Sequence, residues 1–125
     1  MADRRMFSKW LVDSDLFMDM PTSSQALYFH LGVRADDDGF VANPKRIAEM
    51  IGSSRDDLKI LIAKGFVIGF SSGVIVITHW KVNNQIRKDR YKPTIFQEEK
   101  AMLELKEVST YTFYALASHD DQYLP

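Results

Sequence analysis

Phe66-Val67-Ile68-Gly69-Phe70-Ser71-Ser72-Gly73-Val74-Ile75-Val76-Ile77-Thr78 holds two apolar runs around a three-residue connection that ends in glycine. Valine, isoleucine and phenylalanine fit a pleated, half-buried surface. A three-residue loop closing on glycine suits a type I turn with Gly73 in the left-handed position. The spacing predicts an antiparallel hairpin, and the β-branching and glycine placement exclude a helix over the same residues.

Upstream, the pattern changes period. Ser54 is placed to cap a helix whose first turn carries Asp56 and Asp57, complementing its positive end, with Leu58, Leu61 and Ile62 facing the core and Gly65 closing it. Asn43-Pro44 opens an earlier helix, with Ile47, Met50 and Ile51 as its buried stripe and Gly52 as its stop. Gly39-Phe40-Val41 gives a short strand. Before it, Thr22 and Gln25 form a T-x-x-Q capping box for a helix over 23–34, with Leu27, Tyr28, Leu31 and Ala35 at helical spacing. Helix, strand, helix, helix and hairpin, in that order, predict an α+β winged helix-turn-helix with a two-stranded wing.

Outside this core the reading is coarser. Residues 1–21 form an N-terminal arm, apolar-rich without a clean period, in which Ser14 can cap a turn over Asp15–Met18; it is expected to pack on the core or on a second subunit. Residues 22–80 are the winged-helix core and 81–94 a basic segment. Residues 95–125 are a C-terminal helix and tail: Thr94 and Gln97 repeat the T-x-x-Q pattern ahead of a helix over 95–107, with Ile95, Phe96, Met102, Leu103 and Leu105 apolar. Ser109 to Pro125 shows no clear period.

At 125 residues and 46% hydrophobic, the chain can bury a core of one domain. It has no cysteine, which excludes a disulfide framework and a thiolate metal site and fits a reducing compartment. Met1-Ala2-Asp3-Arg4-Arg5 is charged with no apolar run behind it, and no window approaches ~18 uninterrupted apolar residues. The expectation is a soluble, cytoplasmic protein without a membrane span. The net charge of −1 conceals an asymmetry. Residues 81–92 set Lys81, Arg87, Lys88, Arg90 and Lys92 against Asp89 alone, while residues 95–125 are acidic.

Catalytic and metal chemistry find little support. Asp36-Asp37-Asp38-Gly39 resembles part of a calcium loop. With Gly39 at its sixth position, however, Arg34 and Lys45 would occupy the first and twelfth, where carboxylates are needed. An acidic turn is the better reading. His30, His79 and His119 lack ligand spacing; His30 reads as structural and His79 as the end of a strand. No phosphate loop or nucleophile elbow is present. No enzyme activity, metal or cofactor is expected.

Nucleic-acid contact is better supported. The helix that usually reads bases shows Asp56, Lys59, Ile60 and Ala63 on its outer face, flanked by Arg55 and Lys64. Base reading favours Arg, Asn or Gln there, so packing against another element has equal claim. The segment after the hairpin is richer. Lys81, Asn83, Asn84, Arg87, Lys88, Arg90, Tyr91 and Lys92 offer phosphate and base-edge donors and a stacking ring. Lys45 and Arg46 are further phosphate candidates. The competing reading of 81–92 is a solvated linker.

Phe7-Ser8-Lys9, Val12-Asp13-Ser14-Asp15, Gln25-Ala26-Leu27-Tyr28-Phe29-His30-Leu31-Gly32, Arg34-Ala35-Asp36-Asp37-Asp38-Gly39-Phe40-Val41, Ile62-Ala63-Lys64 and Arg87-Lys88-Asp89-Arg90-Tyr91 together resemble the N-terminal domain of bacteriophage replisome organisers, related in style to DnaD-type primosomal proteins. The resemblance covers about 6–100. It implies a winged-helix domain that binds phage origin DNA, often as an oligomer, in a protein that recruits the host helicase or its loader. Family members commonly carry a further C-terminal region, so this chain is expected to be a shortened homologue or a fragment. The alternative expectation is a winged helix used for protein contact, as an oligomerisation or loader-docking module. The apolar arm residues Phe7, Trp10, Leu11, Leu16 and Phe17, the exposed Ile60 and the amphipathic C-terminal helix favour it.

Overall fold

The computed structural model describes residues 3–105 and 110–113. It is a mixed α+β arrangement. Two single-turn helices, α1 (Lys9–Val12) and α2 (Asp15–Met18), precede the long α3 (Thr22–Arg34), strand β1 (Phe40–Val41), α4 (Pro44–Met50) and α5 (Arg55–Ala63). Strands β2 (Val67–Gly69) and β3 (Ile75–Ile77) follow, then the single turn α6 (Trp80–Asn83), α7 (Gln97–Ala101), β4 (Leu103–Leu105) and β5 (Tyr111–Phe113).

The hairpin forms as its sequence predicts. Val67 faces Ile77, Ile68 faces Val76 and Gly69 faces Ile75, with Gly73 at φ +91° in the turn. β1 adds antiparallel to the other edge of β3, pairing Phe40 with Val76, so the sheet order is β1-β3-β2. All three residues of the central strand are buried, which explains its unbroken apolar run. Helices α3, α4 and α5 pack on one another beside this sheet, burying Leu27, Tyr28, Leu31, Ile47 and Leu61.

Of the two partners expected for the arm, the core is the one it packs on. Leu11, Phe17 and Met20 are buried. The Phe17 ring stands edge-on to Tyr28 at 5.3 Å and to Phe66 at 5.4 Å. Phe7 covers Gly32 so closely that a Cβ there would lie 2.5 Å from its ring. Of the arm residues expected on the surface, Trp10 and Leu16 remain there, at 69% and 48% exposure. Ser14 caps α2 by accepting from the Phe17 N–H.

Several local expectations are corrected. The first capping box is absent: Pro21 is the N-cap of α3, and Gln25 instead donates to the carbonyls of Met18 and Met20, tying helix to arm. Met50 and Ile62 are exposed. At 3.6 residues per turn, Met50 is rotated roughly 110° from the buried Pro44, Ile47 and Ala48. Ile62 lies off the buried face of α5 in the same way. Ile60, read as exposed, is partly buried against the core.

The helix over 95–107 shrinks to Gln97–Ala101. The chain then becomes β4, paired to β5 with Leu103 opposite Phe113. Leu103-Glu104-Leu105 alternates with period two, and that pattern overrides the helical spacing around it. The Thr94 hydroxyl is not the cap of α7; it donates to Asp36 and accepts from the Phe96 N–H. His79 is the N-cap of α6, two residues beyond β3. His119 and most of the Ser109–Pro125 tail lie outside the described residues. Among the described residues no helix is long and apolar enough to cross a membrane, and no group of three or more histidines and acids could hold a metal ion.

Candidate nucleic-acid interface

Residues 81–94 are not a free linker. They are fixed at both ends, and the fixing residues are ones the sequence offered as ligands. Asn83 and Asn84 are buried. The Asn83 carboxamide accepts from the Ser8 N–H at 2.8 Å and donates to the Tyr28 hydroxyl at 2.9 Å. Asn84 accepts from the Met6 N–H at 2.8 Å and donates back to the Met6 carbonyl at 3.2 Å. Burial pushes the Tyr28 hydroxyl up to about 12, with the Asn83 bond opposing, so it stays protonated. Both asparagines are spent on holding the arm and are withdrawn from the candidate base contacts.

The far end is held by the acidic turn after α3. Asp37 and Asp38 are 1% and 0% exposed. The Tyr91 hydroxyl donates to both Asp38 oxygens at 2.8 and 2.7 Å, and the Thr94 N–H to one of them at 2.9 Å. The Lys92 N–H donates to Asp37 at 3.0 Å. Lys100 and Lys81 approach Asp38 at 3.3 and 3.8 Å and lie over the Tyr91 ring. Burial pushes the Asp38 carboxyl up, but the Thr94 N–H, the Tyr91 hydroxyl and Lys100 outweigh it and lower it overall. The Asp37 carbonyl accepts from the Trp80 indole, and the Asp38 carbonyl from the Tyr111 hydroxyl. The acidic turn is therefore a polar hub joining arm, sheet, basic segment and second hairpin. Three consecutive acids before a glycine were legible; that they turn inward was not, because their partners lie more than thirty residues away along the chain.

Between these clamps the chain makes one turn, with the Arg90 and Tyr91 N–H groups both donating to the Arg87 carbonyl. Arg87, Lys88 and Arg90 are exposed on it. Arg87 meets Asp89 at 3.2 Å, an exposed pair of little strength. Lys92 is exposed, Tyr91 is partly buried with its hydroxyl engaged, and Lys81 is half-committed to Asp38.

Beside the turn is a cleft of about 750 Å³, lined by Asp3, Arg4, Arg5 and Met6 of the arm and by Asn84, Gln85, Ile86, Arg87 and Arg90. Arg5 points inward: it meets Asp37 at 3.1 Å, donates to the Ala35 carbonyl and lies over Trp80 at 5.3 Å. Arg4 is exposed. Neither arginine stood out in the sequence, where Asp3-Arg4-Arg5 is merely a charged terminus.

The remaining candidates sit on other elements. Lys45 and Arg46 are exposed on the first turn of α4, and Arg55, Lys59 and Lys64 are exposed on and just after α5. None of them lines the cleft. The start of α5 is committed to structure. Asp57 accepts from the hydroxyls of Ser23 and Ser24 on α3, and from the Ser53 hydroxyl and Ser54 N–H. Burial pushes this carboxyl up, and the three hydroxyls and the N–H more than reverse it, holding it at about 2.

No protein-family model, no curated protein and no solved structure matches the chain.

Proposed function

We propose that this chain is a winged-helix nucleic-acid-binding protein, and that its task is the one its resemblance implies: binding DNA in the initiation of phage replication, within the cytoplasm, with the host helicase or its loader as a downstream partner. The observation that carries the reading is the cationic turn at 87–90, exposed and clamped at both ends beside a helix–strand–helix–helix–hairpin core. A turn fixed in advance loses little conformational freedom when phosphates bind. The β1-β3-β2 order, with the strand after the first long helix closing onto the hairpin, supports assigning β2 and β3 as the wing. Helix α5, with Asp56 and Asp57 at its leading end, is the weaker candidate for groove entry.

The test is a salt titration of binding to duplex DNA. Each phosphate contact contributes about 0.9 to the log–log slope. Changing Arg87, Lys88 and Arg90 together to Ala flattens the slope by about 2–3 if all three touch phosphate, while Lys59→Ala with Lys64→Ala weakens binding less. A triple variant that binds like wild type, beside an α5 variant that does not, would transfer the reading to α5.

A second reading is favoured by one observation. Trp10, Leu16 and Met18 are exposed on the outer side of the arm, at 69%, 48% and 57%. They lie within nine residues of one another in the sequence, and a homo-oligomer or a docked loader would cover them.

A further inference from the structure

We infer that the cleft between the arm and the 84–90 segment takes the phosphate backbone of a single nucleic-acid strand, and that Arg4 is one of its ligands. This deepens the nucleic-acid reading above and rests on it.

Geometry comes first. The paired bonds between Met6 and Asn84 lock the two walls in register. Arg4 lies two residues before that lock on one wall, and Arg87 and Arg90 follow it on the other. Arg5, between Arg4 and Met6, is anchored into the core on Asp37. The arm is therefore held on the inner side while Arg4 stays exposed at the cleft.

Charge comes next. Arg4, Arg87 and Arg90 line one cleft, and like charges sharing a cleft favour an anion within it. Arg5 is neutralised by Asp37, and Arg87 is shared with Asp89. Among the described residues Asp3 is the acid in the lining, and it opposes binding.

Shape and chemistry then choose the form of the anion. A volume of about 750 Å³ is that of a small-molecule site. It admits a short run of one strand, whereas a duplex can only lie across its mouth. Among the described residues the lining carries no aromatic ring on which a base could stack, and its apolar side chains are Met6 and Ile86. Recognition therefore falls on phosphates, is indifferent to sequence and depends steeply on salt.

The experiment uses the 125-residue chain with a labelled oligothymidylate and a duplex of equal length, titrated across salt. A single-strand phosphate contact contributes about 0.7 to the slope, hence about fivefold in affinity at 0.1 M salt. Arg4→Ala with Arg90→Ala should flatten the single-strand slope by about 1.4 and cost roughly 25-fold in affinity, with a smaller loss on duplex. Arg4→Lys should keep most of the slope, because the point charge remains. Asp3→Asn should tighten binding a few-fold. An unchanged melting temperature in each variant shows that the fold is intact. If wild type binds with a steep salt slope and Arg4→Ala matches it, or if both DNA forms lose equally, the cleft is not the site, though the broader reading stands. If wild type binds neither DNA, both fall together.

Discussion

Asp57 shows how a residue placed for one reason serves another. In the first turn of a capped helix, an acid answers the helix dipole. Here it also accepts five hydrogen bonds and joins α3 to α5. Its carboxyl sits at about 2 against an ordinary 3.8. The folded value is below the unfolded one, so its stabilisation is full well above pH 3.8, fades as pH falls toward 2, and is gone below that. With allowance for solvent screening at a helix start, it amounts to about 1–2 kcal/mol. Asp57→Asn should therefore lower the urea midpoint near neutral pH, and the gap to wild type should close near pH 2. A gap that persists in acid would assign the effect to hydrogen-bond geometry rather than charge. Gly39 gives a sharper outcome. It sits at φ +90°, and a Cβ would lie 2.6 Å from the Trp80 ring. Gly39→Ala should cost about 2–4 kcal/mol and shift the Trp80 emission, whereas an alanine tolerated without loss would mean that the indole can move.

At the scale of elements, the arm carries the clearest prediction. Full burial of Leu11, Phe17 and Met20 contributes about 1.5–3 kcal/mol each, which together is comparable with the whole stability of a domain this size. A chain lacking residues 1–20 should show no cooperative thermal transition. If it melts sharply near the wild-type temperature, the arm is an accessory after all. Helices α4 and α5 and the hairpin were legible because each pairs a local signal with its own boundary: Asn43-Pro44, Ser54 with Asp57, Gly73 in the hairpin turn; α3 was legible from its period, although the cap read for it is absent. The arm was legible only in part: Ser14 marks the turn over Asp15–Met18, but α1 is a single turn with no period to read, and nothing local chose the core over a second subunit as its docking partner. The C-terminal helix was misread because Phe96, Leu103 and Leu105 fit two periods, and only the pairing of β4 with β5 selects one. The candidate site divided along the same line. Exposed cations on the 87–90 turn could be read from charge alone, while the burial of Asn83 and Asn84 depended on partners more than fifty residues away.

For the whole molecule, the question is what covers the outer side of the arm. Trp10 is exposed and Trp80 is 1% exposed, so the two report separately. In dilute solution iodide should quench Trp10 and spare Trp80. If the second reading holds, light scattering at about 100 µM should give a multimer, and Trp10 should become protected as concentration rises. Trp10→Ala with Leu16→Ala should restore the monomer and leave the melting temperature within a few degrees. A monomeric mass and unchanged quenching at that concentration would leave DNA contact as the sole role.

The bond from the Met6 N–H to Asn84 spans 78 positions. On the ribosome the arm emerges early, and its docking partner follows only after a long wait. At about 5–20 residues per second the interval is roughly 4–16 s. Throughout it, Leu11, Phe17 and Met20 have no completed core to enter. Leu27 and its helical neighbours can associate meanwhile, since their partners lie closer along the chain. The arm should thus be the last part of the nascent domain to become protease-resistant, and the part on which a trigger-type chaperone would dwell longest.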